Sequence, residues 1–82
     1  MVLKKIESYV TLTLKDDDQA RIIEESLKPE IEMDIGQRSV TSIERKNNSI
    51  DIIVTAPDTA SMRASINSLL RWVSMIQRIH NI

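Results

Sequence analysis

Apolar and polar side chains alternate from residue 4 to residue 14, with Ile6, Ser8, Val10, Leu12 and Leu14 on one side and Lys5, Glu7, Tyr9, Thr11 and Thr13 on the other. A period of two with one apolar face predicts a strand covered on that face. The period then lengthens. Ala20, Ile22, Ile23 and Leu27 recur at helical spacing behind Asp16-Asp17-Asp18, whose carboxylates can cap free amides and complement the positive end of a helix dipole. A first helix is therefore expected, ending before Pro29. Residues 29–37, PEIEMDIGQ, hold the one glycine of the chain, Gly36, and predict an irregular connection. Its Ile31, Met33 and Ile35 alternate with acids, which leaves open an extended stretch along the sheet or a contact with a partner. Period two returns over 39–46 and again over 50–56, separated by Asn47-Asn48-Ser49, residues that tolerate left-handed backbone. Ile50, Ile52, Val54 and Ala56 share one face of the later strand while Ile53 sits on the other. That strand is expected at the centre of a sheet.

The last stretch, 58–82, reads as one unbroken helix. Pro57 stops the strand before it, Asp58 is placed to cap it, and no Gly or Pro interrupts it. At 100° per residue, Met62, Ile66, Leu69, Leu70, Val73 and Ile76 fall on one side, and Trp72, Met75, Ile79 and Ala64 continue the apolar surface round a flank. A helix resting on a small sheet needs an apolar stripe of roughly 100°. This arc exceeds half the circumference, and a chain of 82 residues cannot wrap a helix of that length. Part of the arc is therefore expected to cover another polypeptide. The remaining strip holds Arg63, Asn67, Arg71, Ser74 and Arg78 at i, i+4, i+8, i+11 and i+15. Such a ladder suits either a solvated face or a contact with an anionic partner.

The order strand, helix, strand, strand, helix permits few topologies. A right-handed crossover sets the first strand beside the third. The expected fold is α+β, a β-α-β-β-α domain over 1–82 with a three-stranded antiparallel sheet of order 1-3-2 and two helices on one face. The open sheet face and the outer strands favour a dimer, by edge pairing or by helix contact.

Composition narrows function mainly by exclusion. The chain has no Cys, so it has no disulfide framework, thiolate nucleophile or Cys-based zinc site. No apolar run approaches the ~18 residues of a membrane span, and the opening residues alternate instead of forming a signal-peptide core. A soluble cytoplasmic protein is expected. Eleven basic residues against twelve acidic ones give a net charge of −1, which argues against a free-standing nucleic-acid binder. Two aromatics, Tyr9 and Trp72, make no stacking platform. The single His80 lies near the end of the last helix, and one glycine builds no phosphate-cradling loop. Asp16-Asp17-Asp18 point apart at a helix start and lack a second cluster at metal-binding spacing. No catalytic residue, cofactor, metal or small-molecule substrate is expected.

The segment Ala60-Ser61-Met62-Arg63-Ala64-Ser65-Ile66-Asn67-Ser68-Leu69-Leu70-Arg71-Trp72 resembles the final-helix signature of the Pcc-type small subunit of the KEOPS complex, whose archaeal members read Leu-Arg-Ala-x-Ile/Leu-Asn-Ser-Tyr/Leu-Leu-Arg-Trp. Ser26-Leu27-Lys28-Pro29-Glu30 resembles that family's Ser-Leu-x-Pro-Glu after its first helix, and Arg38-Ser39 its Arg-Ser at the second strand. The resemblance covers the whole chain in order. It implies a non-catalytic dimerisation and scaffolding subunit of the machinery that installs threonylcarbamoyl-adenosine in tRNA. The implied partners are a second copy or a paralogue, the separate catalytic threonylcarbamoyltransferase subunit, and tRNA within the complex. By residue, it implies that Met62, Ile66, Leu69, Leu70, Trp72 and Val73 serve fold and partner contact, with Met75 and Ile79 on the adjoining flank. Arg63, Asn67 and Arg71 occupy the family's polar positions, and Arg78 extends the ladder toward a tRNA contact.

This sequence departs from the pattern at two places. The connection lacks the Pro-Ser that many relatives place before Arg-Ser, and Ser74, Met75 and Gln77 stand where an acid-rich continuation is usual. These departures leave open a diverged paralogue that caps the principal small subunit, although the retained RASINSLLRW favours the principal copy. A stand-alone RNA-binding module of related topology is the alternative from another class.

Overall fold

The computed structural model describes residues 5–33 and 38–82, and the chain runs β1 (Ile6–Thr13), α1 (Asp17–Glu32), β2 (Val40–Lys46), β3 (Ser49–Ala56) and α2 (Thr59–His80). The strands form one antiparallel sheet in the order β1-β3-β2. The alternation along the strands accounts for this order. Ile50, Ile52 and Val54 of β3 are fully buried, which only a strand flanked on both sides and covered above can achieve. Val10, Ile52 and Ile43 stand abreast on the covered face; Tyr9, Ile53 and Ser42 stand abreast on the open one. Lys46 pairs with Ser49, so Asn47-Asn48 closes the hairpin, with Asn47 at φ 57°. The Asn48 side-chain amide donates to the Leu14 carbonyl at 2.9 Å, and the Leu14 N–H donates to the Asn48 carbonyl at 2.8 Å. This pair of bonds ties the end of β1 to the turn.

Both helices lie on the covered face, α1 over β2 and β3, α2 over β1 and β3. Asp16 caps α1, its carboxylate accepting from the Gln19 N–H at 2.9 Å, and Asp17 and Asp18 fill the first turn. Ala20, Ile23 and Leu27 are fully buried. The expectation that α1 stops before Pro29 is corrected: the helix passes through Pro29 and ends at Glu32. Proline removes one bond, to the carbonyl four residues earlier. Here that residue is Glu25, exposed like Pro29 itself, so water can reach its carbonyl. Continuing the helix brings Ile31 against the core, and the Met33 N–H donates to the Pro29 carbonyl at 2.9 Å. Ile31 is therefore helical and not extended along the sheet. Ile35 and Gly36 of the expected connection lie outside the described residues.

α2 matches the expected helix closely. Asp58 caps its start, accepting from the Ser61 N–H at 2.7 Å, and Asn81 closes its end in the left-handed conformation at φ 57°. Arg78 and His80 occupy the last turn, where the helix dipole favours positive charge. Met62, Leu69, Val73 and Ile76 complete the core between helices and sheet. No helix among the described residues is long and apolar enough to cross a membrane.

Candidate protein-docking site

One ion pair sets the roll of the helix layer. Arg45 of β2 donates through Nε to Glu24 Oε1 at 3.0 Å, and Lys28 Nζ lies 3.6 Å from the other oxygen of that carboxylate. The Glu24–Lys28 flank of α1 thus overhangs β2, and its opposite flank, with Ile22 and Ser26, turns toward α2. The two helices are right-handed and antiparallel. The matching turn of α2 carries Ile66, Leu70 and Gln77 over β1, and Trp72, Met75 and Ile79 toward α1. The Arg strip then points away from the sheet.

Burial divides the expected contact residues into two sets. Met62, Leu69 and Val73 are buried, Leu69 to 2% exposure. They fill this protomer's own core, the fold part of the role expected for them, and present little surface. Leu70, Met75 and Ile79 are exposed, Ile79 to 71%, while Ile66 and Trp72 are half-buried against the core. The surplus arc therefore exists, and it is split by the buried stripe into two flanks. On the side of α2 that carries Trp72, Met75 and Ile79, α1 contributes half-buried Ile22, while exposed Met33 closes the far end of α1. Met33 belongs to the stretch for which the sequence left a partner contact open, and Ile22 reads in the sequence as part of the stripe of α1.

Arg63, Asn67, Arg71 and Arg78 are all exposed. Arg71 Nη2 lies 3.4 Å from Ser68 Oγ, and among the described residues none of Arg63, Arg71 and Arg78 pairs with a carboxylate. Other basic residues are answered by acids: Lys5 by Glu7, Arg21 by Asp18 and Glu25, Arg38 by Asp58. The α2 strip keeps its charge available.

The start of α2 is anchored from the strand side. Arg38 Nη1 lies 3.2 Å from Asp58 Oδ2, and the Ser39 hydroxyl donates to the Ser61 carbonyl at 3.4 Å. Amide and hydroxyl of Ser61, with Arg38 nearby, hold the Asp58 carboxyl below the usual carboxylate range. On the open sheet face Tyr9 donates to Glu7 at 2.7 Å, which lowers the Glu7 pKa, with Lys5 adding to the effect, and raises that of Tyr9. A depression on that face, lined by Ser42, Ile43, Glu44, Asp51 and Ile53, carries two acids, of which Asp51 accepts from Thr11 Oγ1 at 2.9 Å.

Two comparisons bear on this arrangement. A family model described as "Transcription factor Pcc1" matches residues 7–81. The KEOPS complex subunit Pcc1 of Pyrococcus abyssi (strain GE5 / Orsay) is 25% identical to this chain over 79 residues, which span 96% of each.

Proposed function

The chain belongs to the Pcc1 family, and from that premise we propose that it is a non-catalytic, dimerising subunit of a cytoplasmic KEOPS complex that supports threonylcarbamoyl-adenosine formation in tRNA. The observation that carries this reading is the apolar flank of α2 left incompletely covered by its own sheet, Trp72, Met75 and Ile79, with half-buried Ile22 on the neighbouring α1. Two antiparallel helices with a shared apolar flank form half of a helical bundle, and the proposed occupant is a helix pair of the catalytic threonylcarbamoyltransferase subunit. The relative in Pyrococcus abyssi, named as a KEOPS subunit and matched along its length, supports the same assignment. Ile66 and Leu70, on the far flank, stay free for a different contact.

Co-elution with the catalytic subunit tests the proposal. Met75→Asp with Ile79→Asp places two charges in the contact without touching the core, and loss of co-elution by a folded variant is expected. Unchanged co-elution removes this surface from consideration. The guanidinium groups of the α2 strip, which meet no carboxylate among the described residues, favour a second role, contact with tRNA phosphates inside the assembled complex. Arg71→Gln with Arg78→Gln should lower the slope of log affinity against log salt by about 2, one per lost phosphate contact. An unaltered slope rules that role out.

A further inference from the structure

The open face of the sheet, on the side away from both helices, carries an apolar patch beside a pair of opposed acids. Tyr9 of β1, Ile53 of β3 and Ser42 of β2 stand abreast there, and Val40 lies two residues from Ser42 on the same face. Tyr9 and Val40 are each 70% exposed and Ile53 is half-buried. The short side chain of Ser42 leaves a depression beside Ile53, and Glu44 and Asp51 line it. These two carboxylates are register partners on adjacent strands. Like charges set directly opposite each other destabilise a sheet. Among the described residues neither acid makes an ion pair, and Asp51 accepts from the Thr11 hydroxyl at 2.9 Å. The other charges of this face do not answer them. Lys5 and Glu7 pair with each other at 3.5 Å, and Lys46 stands in the next row opposite Ser49, in ion-pair contact with neither acid.

We propose that this open face docks a basic amphipathic helix of another protein, with an Arg or Lys seated on Glu44 and Asp51 and an apolar side chain on Ile53, flanked by Tyr9 and Val40. Charge complementarity selects the occupant. A nucleic acid or an anionic membrane would press phosphates onto two carboxylates, and a second copy laid face to face across a two-fold axis would bring the same two carboxylates. A base in the partner turns the repulsion of the free chain into attraction in the complex. Spacing agrees with a helix. Residues two apart on a strand are separated by about 6.7 Å, and residues four apart on a helix by about 6 Å. A base at i and an apolar residue at i+4 therefore reach the acid pair and Ile53 together. The surface lies across the sheet from both flanks of α2, and the inference stands independently of the function proposed above.

The test is titration of the isotope-labelled full chain with a synthetic helix of about 18 residues, long enough to be helical alone, carrying Arg and Leu at alternate i, i+4 positions. Amide chemical shifts are expected to move at Tyr9, Ser42, Glu44 and Ile53, and Glu44→Gln with Asp51→Asn should weaken binding about ten-fold. Both side chains are exposed and keep their shape in that variant, and relief of the repulsion should raise its melting temperature. A lower melting temperature would assign the acids to the stability of the fold and overturn the proposal. The same peptide with Ser in place of Leu should bind more weakly; equal binding would mean charge attraction alone and overturns the apolar half of the site. Shifts confined to the helices, or an affinity indifferent to the double substitution, overturn the surface. An oligouridylate that moves these amides where the peptide does not overturns the choice of a protein partner.

Discussion

Among single residues, Leu69 and Trp72 show how one turn of helix separates the core from its margin. Leu69 is 2% exposed in the protomer core, so Leu69→Ala should cost about 2–5 kcal/mol, read from the denaturant midpoint at constant slope. Trp72 sits at the margin of that core and beside the exposed Met75 and Ile79. Asp58 works through charge. Its folded pKa lies below the ordinary 3.8, so the stability its carboxylate contributes is present above pH 3.8 and is lost as pH falls through the folded value. Asp58→Asn keeps a capping oxygen without the charge. The wild-type advantage over Asp58→Asn should therefore be present at pH 7 and vanish in strong acid, as followed by thermal melts across pH. Residue periodicity displayed the core positions well, because burial follows the repeat of each element. It could not tell Leu69 from Leu70 as core and surface, since both fall within an arc wider than the sheet can cover. The roll of the helix decides between them, and the Glu24–Arg45 pair that marks it joins residues 21 apart in sequence.

At the scale of elements, α1 holds the instructive departure. Proline normally argues for a helix end, and the helix continues through it because Ile31 gains core contact in the added turn. Pro29→Ala restores a backbone bond on an exposed face and should stabilise the chain by about 1–3 kcal/mol, measurable by urea titration. No gain would mean that the last turn of α1 is held by other contacts. The strands, the hairpin at Asn47-Asn48, the caps at Asp16 and Asp58, and the order β1-β3-β2 were all readable, since each depends on local chemistry or on the handedness of one crossover. The pairing of Arg45 with Glu24 was not, because alternation turns Arg45 inward and does not say what meets it.

Across the whole molecule the surfaces divide without overlap. The flank of Trp72, Met75 and Ile79 faces α1, the strip of Arg63, Arg71 and Arg78 faces outward, and Ile66 and Leu70 overhang β1. The proposed contacts with a catalytic subunit and with tRNA phosphates would thus fall on separate surfaces. This small sheet leaves one flank of α2 incompletely covered, with Met75 and Ile79 exposed. The chain has a single tryptophan, and it lies on that flank. With Trp72 replaced by 5-fluorotryptophan, the fluorine resonance should shift and broaden when the unlabelled catalytic subunit is added, as solvent is excluded from the ring. A resonance that stays sharp and unmoved while the two proteins co-elute would contradict the account.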